Sequence, residues 1–167
     1  PQPMTLPCRY DETSLPGRDF TNREVVEAYD AYHRRLRDID GENRDIIATI
    51  GLRATDALAD FGCGTGALAL TAARQCAQVH AIDISQAMVD YTAWKAREQG
   101  VTNIACHCAG FLTYVHEGAL LDVITSTMAL HHLPDFWKQE ALCRLSKMLK
   151  PGGCLFLGDV VFQAENY

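Results

Sequence analysis

Apolar residues along this chain recur in two alternating rhythms. From Thr21 the set Val25, Val26, Tyr29, Tyr32 and Leu36 keeps helical spacing, and Asn43 to Ile50 keeps it again until Gly51 closes the segment. Short, nearly continuous apolar runs then alternate with helical stretches. The pattern predicts strand Ala57 to Phe61, helix Ala67 to Gln75, strand Gln78 to Asp83 and helix Gln86 to Gln99. It continues with strand Ile104 to Cys108, a polar connection, strand Leu121 to Ser126, helix Pro134 to Leu149, a Pro151-Gly152-Gly153 turn and strand Cys154 to Val161. Strands that are apolar on both faces, each followed by a helix, predict a doubly wound α/β fold with a mostly parallel sheet and helices on both faces. No long linker interrupts the alternation, so residues 42–167 read as one domain preceded by an N-terminal arm and helix over 1–41. Pro1 to Asp19 is polar and aperiodic, which predicts little structure there.

Composition narrows the function classes. With 48% hydrophobic and 22% charged residues over 167 positions, the chain can bury a core of ordinary size. A net charge of −6 gives no clustered basic footprint for a phosphate backbone, so no nucleic-acid partner is expected. No apolar run approaches the roughly 20 residues a bilayer span needs, and the start lacks the regions of a signal peptide, so a cytoplasmic protein without membrane contact is expected. Seven cysteines without paired CxxC elements read as reduced thiols, with no metal site expected. In Cys106-His107-Cys108 the two sulfurs share one strand face and the imidazole takes the other, which favours packing over ligation.

The most informative stretch is Leu58-Ala59-Asp60-Phe61-Gly62-Cys63-Gly64-Thr65-Gly66, an apolar strand that ends in an acid and alternate glycines before a helix. Glycines at such a turn let the backbone approach a ligand where a Cβ would collide. A dinucleotide loop is the competing assignment. Its last glycine falls one residue later, at Ala67, where Ala is tolerated, so spacing alone separates the two only in part. Asp60 tips the balance, because a carboxylate there repels a pyrophosphate and suits a ligand with a cationic end. A second acid, Asp83, closes the next strand, where it can accept hydrogen bonds from both hydroxyls of a ribose. The alternative is that Asp83 only caps the helix that starts near Ser85.

Taken together, these motifs resemble the class I S-adenosylmethionine-dependent methyltransferases, from about Asp45 to Val161. Leu58 to Gly66 looks like their first motif, Ala81 to Ser85 like the ribose segment, Leu121 to His132 like the fourth strand with its trailing His-His-Leu, and Lys150-Pro151-Gly152-Gly153 like the turn before the fifth strand. The resemblance implies a Rossmann-like domain with S-adenosyl-L-methionine as cofactor. It implies that Gly62, Cys63, Gly64 and Gly66 line the cofactor, that Asp60 faces its methionine end with Ser126 and Thr127 nearby, and that Asp83 holds the ribose. Where many relatives carry an acid after the third strand to meet the adenine amino group, this chain has Gly110. Adenine would then rest on backbone groups, with Phe111 or Ile84 in apolar contact.

The segment from Asp122 to Ile124 followed by Ala129 to Asp135 is most similar to small-molecule branches, including enzymes of the quinone-biosynthesis type. The Pro-Pro-aromatic signature of adenine or glutamine methylation is replaced by Ser126-Thr127-Met128-Ala129, which also points to a small-molecule methyl acceptor. The methyl is already activated, so in-line displacement needs chiefly positioning. Where the acceptor must lose a proton, His131 or His132 is the candidate base, although adjacent histidines after a strand also settle turns. Tyr29 and Tyr32 either close over the cofactor or pack in the core, and His33 to Arg37 reads as a solvated basic face. Relatives add two more strands after the fifth, which this chain does not show. It is therefore expected to be C-terminally shortened, with a homodimer as one way to cover an open strand edge. The competing functions are a methyltransferase-like module without turnover and, on the same kind of sheet, a nicotinamide-dependent oxidoreductase.

Overall fold

The computed structural model describes residues 10–13 and 22–160. Five parallel strands form one sheet in the order β3-β2-β1-β4-β5: β1 Ala57–Phe61, β2 Gln78–Asp83, β3 Ile104–Cys108, β4 Leu121–Thr127 and β5 Leu149–Gly158. The chain winds outward from β1 in one direction through α3 (Ala67–Ala73) and α4 (Gln86–Glu98). It then returns to place β4 on the other side of β1 and reaches β5 through α5 (Asp135–Met148). Right-handed crossovers put successive helices on one face until that direction reverses, so the two directions cover opposite faces. This is the doubly wound α/β architecture expected from the alternation of elements.

Strand alternation divides the apolar residues between two cores. Leu58, Val79, Ala81 and Val123 pack under α3 with Leu68, Ala69 and Ala72, and Ile47 of α2 (Ile39–Ile50) joins them. On the opposite face Ala59, Phe61, Ile82, Leu121 and Ile124 meet Ala141, Leu145 and Met148 of α5. The connection from β3 to β4 completes this second core. Phe111 stacks on Phe61 at 5.4 Å, and the Arg144 guanidinium donates to the carbonyls of Phe111 and Tyr114 at 3.2 and 3.0 Å.

Several sequence expectations require correction. Helix α2 starts at Ile39, because Asp38 caps it by accepting from Gly41 N, so the boundary drawn at residue 42 falls inside a helix. The Pro151-Gly152-Gly153 segment does not precede β5. It lies within the strand and is absorbed by a register shift between Leu121 and Val123, with Lys150 paired to Asp122 at 2.8 Å. Only Val26 of the apolar stripe on α1 (Arg23–Leu36) is buried, and Tyr32 and Leu36 are 50% and 63% exposed, so Tyr32 is no core contact. Most of the arm expected to be unstructured lies outside the described residues, but its described part, Tyr10 to Thr13, docks on the second core. Tyr10 lies against Trp137 at 6.2 Å, and Glu12 is buried. No helix among the described residues is long and apolar enough to cross a membrane.

Candidate functional site

The direction of winding reverses beside β1, and the crevice outside the strand ends at such a point is where open α/β sheets bind ligands. The turn after β1 is shaped by backbone hydrogen bonds. Gly62 N and Cys63 N both donate to Ile82 O, at 2.9 and 3.0 Å, and Gly66 N donates to Cys63 O at 2.8 Å. Gly62 has φ +71°, and a Cβ on it would lie 2.3 Å from that of Ala129. Gly64 also has positive φ but nothing within 4 Å of its Cβ direction, so this side of the loop faces open space.

Asp83 ties this loop to the end of β2. Its Oδ2 accepts from Gly64 N at 2.8 Å and its Oδ1 from Ser85 N at 2.9 Å, and each oxygen keeps further acceptor capacity. Ser85, not Asp83, is the N-cap of α4, with its hydroxyl accepting from Met88 N. Burial raises the Asp83 carboxyl above the ordinary aspartate range, against the hydrogen bonds from Ser85 and Gly64. Asp60 sits deeper, in register with Ala81 and Thr125, is 2% exposed and accepts from Thr125 Oγ1 at 2.8 Å. Burial, opposed by the Thr125 bond and reinforced by the Asp83 charge, pushes its carboxyl up to about 7. Burial also pushes the Cys63 thiol well above its usual range, so it is a packing group rather than a nucleophile.

Ser126, one residue from the end of β4, is 2% exposed, and its hydroxyl is buried without a hydrogen-bond partner among the described residues. A buried hydroxyl left this way beside an open glycine loop is an orphaned polar group that a polar ligand would satisfy. Thr127 ends the strand, and Met128 follows with φ +54°. Gly110 is buried and Ile84 half-buried. Phe111 is 7% exposed with its ring against Phe61, so of the two apolar candidates Ile84 is the one left for a ligand.

The two histidines differ. His131 Nδ1 lies 2.6 Å from Asp159 Oδ1, and its backbone N–H donates to Oδ2 of the same carboxylate at 2.9 Å. A carboxylate on Nδ1 fixes the proton there and leaves Nε2 as acceptor. His132 has its pKa lowered by burial and by the adjacent His131, against the charges of Asp159 and Asp83.

Three contributors have no signature in the local sequence pattern. Asp159 falls inside the run that predicts the fifth strand. Asp30 of α1 accepts from Thr65 Oγ1 at 2.6 Å and from Lys95 at 3.3 Å, pinning the first helix to the glycine loop. Thr92 donates to Gly64 O at 3.0 Å. None of these contacts joins residues close in sequence, so no local pattern announces them.

The methyltransferase-domain family matches residues 58–153, more than half of the chain, from the second residue of β1 to the Gly152-Gly153 segment within β5. The chain belongs to the class I S-adenosylmethionine-dependent methyltransferases. This methyltransferase is 31% identical over 156 residues to an uncharacterized methyltransferase of Geobacillus kaustophilus, a match covering 90% of this chain and 71% of the other. It is 30% identical over 162 residues to the 27-O-demethylrifamycin SV methyltransferase of Amycolatopsis mediterranei, covering 83% and 59%. Among solved structures it is similar to the YcgJ protein from Bacillus subtilis, with TM-score 0.66, 27% identity and coverage of 72% of this chain and 50% of that one.

Proposed function

We propose that the chain transfers a methyl group from S-adenosyl-L-methionine to a small-molecule acceptor. The observation that carries this is the Asp83 carboxylate, bonded to Gly64 N at 2.8 Å beside a loop face with open space above it. In this reading Asp83 accepts from the ribose hydroxyls, and the backbone of Gly62, Cys63, Gly64 and Gly66 supplies the wall of the pocket. Asp60 lies beneath the cationic methionine end, whose charge favours release of the Asp60 proton, Ser126 and Thr127 present hydroxyls there, and Ile84 and Gly110 border the base, with Phe111 turned into the core behind them. Bound cofactor supplies the activated methyl. The protein's part is to hold the acceptor atom in line and keep water out.

His131 Nε2 takes a proton from acceptors that must lose one, with Asp159 fixing the imidazole and balancing the charge that develops. Among the described residues no carboxylate is hydrogen-bonded to the His132 ring, which only feels the charges of Asp159 and Asp83. A small acceptor is supported by the Ser126-Thr127-Met128-Ala129 segment after β4, by the net charge of −6 and by the similarity to the rifamycin-modifying relative.

Calorimetric titration with S-adenosylmethionine, S-adenosylhomocysteine and NADH, followed by a screen for acceptor-dependent formation of S-adenosylhomocysteine, tests the proposal. Binding of both adenosyl ligands with turnover is expected. Binding without turnover on any acceptor would leave a methyltransferase-like module, and preferential NADH binding would overturn the cofactor reading.

A further inference from the structure

One buried acid plays no part in the scheme above. Glu12 is 3% exposed, although it comes from a polar N-terminal stretch a hundred residues from the segment it touches. Its Oε1 accepts from Thr113 Oγ1 at 2.7 Å, and both oxygens accept from Leu112 N at 3.1 Å. These donors are neutral, and burying a carboxylate against neutral donors alone is costly. A further donor at this place would offset that cost.

The neighbouring backbone shows where the carboxylate stands. A Cβ built on Gly110 would lie 2.3 Å from Glu12 Cδ, 2.4 Å from Oε2 and 2.6 Å from Oε1. Gly110 is not among the glycines with positive φ, so its backbone conformation would accept a side chain. The three atoms nearest to such a Cβ all belong to Glu12. Position 110 is the second residue after β3, and the residue before it donates from Ala109 N to Asp83 O at 2.9 Å. Glu12 therefore lies one short loop from the acid assigned to the ribose, on a segment that Arg144 holds in place from α5.

We infer that Glu12 is a binding residue for the base of the nucleoside: its carboxylate, delivered by the N-terminal arm, occupies the side-chain place left empty at Gly110 and accepts a hydrogen bond from the exocyclic amino group of adenine. This rests on the adenosyl-cofactor reading. It makes the arm part of the cofactor pocket. It also explains why position 110 is glycine, since any side chain would displace the carboxylate.

The test compares S-adenosylhomocysteine with its 6-oxo analogue, S-inosylhomocysteine, by calorimetry on the full 167-residue chain, with thermal unfolding to confirm that each variant is folded. The unaltered protein should prefer the adenine ligand. Glu12→Gln keeps the size and an acceptor for Leu112 N, and it should weaken S-adenosylhomocysteine by about ten- to a hundredfold, the range of a charge-assisted hydrogen bond, while sparing the 6-oxo ligand. The double variant Glu12→Ala with Gly110→Asp moves the carboxylate onto the loop and should restore the adenine preference that Glu12→Ala alone loses. Equal weakening of both ligands by Glu12→Gln would reduce Glu12 to a structural clamp and overturn the inference, as would an unchanged preference. If the unaltered chain binds neither ligand, the cofactor reading itself fails and this inference falls with it.

Discussion

The two halves of the crevice are built by different means. Around β1 and β2 the site is mostly backbone: Gly62 N and Cys63 N meet Ile82 O, and Gly64 N meets Asp83, all between residues 57 and 83. Around β4 and β5 it is mostly side chain: His131 is held by Asp159, the Ser126 hydroxyl has no partner among the described residues, and Met128 and Phe136 are 48% and 71% exposed. A backbone cradle is insensitive to most substitutions and suits a ligand of constant shape. A rim of exposed side chains can change with the acceptor while the sheet beneath it stays the same. The halves should therefore fail differently.

The largest expected effect lies in the side-chain half. His131→Gln should lower kcat about 10²- to 10⁴-fold for an acceptor that must lose a proton, with S-adenosylhomocysteine affinity within twofold. Asp159→Asn should act in the same direction. Steady-state kinetics beside calorimetry checks this, and a loss of cofactor affinity would erase the separation. Asp83→Ala should do the reverse, weakening the cofactor about a hundredfold through lost charge-assisted hydrogen bonds, with kcat at saturating cofactor changed only a few fold.

The third effect is a pH dependence located under the backbone half. Asp60 holds its proton in the folded chain up to about pH 7, against an ordinary value of 3.8. Its raised pKa gives a stabilisation that is complete below the unfolded value and is lost as pH rises toward 7, at roughly 1.4 kcal/mol per pH unit over that window. Urea unfolding at pH 5, 6, 7 and 8 should show this slope, and Asp60→Asn should flatten it. A slope unchanged in the variant would assign the effect elsewhere. The smallest expected effect separates two glycines of one loop. Gly64→Ala should cost about 1 kcal/mol for its left-handed conformation, because no atom stands in the way, whereas Gly62→Ala adds a collision with Ala129 and should cost more. Thermal unfolding of the two variants side by side decides it.

The comparison also explains how far the sequence could be read. Strands β1, β2 and β3 fall on the residues that the apolar runs predict, and Gly62 to Gly66 with Asp83 are visible as a spaced motif, because backbone-built features are local. The start of α2 was missed because its cap, Asp38, satisfies the helix earlier than the apolar pattern begins. The fifth strand was drawn too late at one end and too far at the other, since a register shift lets Pro151 and two glycines lie within the ladder.

What the amino-acid sequence determined by itself was the class of fold, the family and the glycine loop with its acid that one strand–turn–helix–strand segment builds, because those depend on periodicities and spacings of a few residues. Only the tertiary structure decided which histidine is held by a carboxylate, that Phe111 turns into the core, and that Glu12 fills the place beside Gly110. Each of those outcomes joins groups that are 28, 50 or about a hundred residues apart. Contacts over such separations are fixed by how the sheet and helices pack, and that packing leaves no periodic trace in the chain.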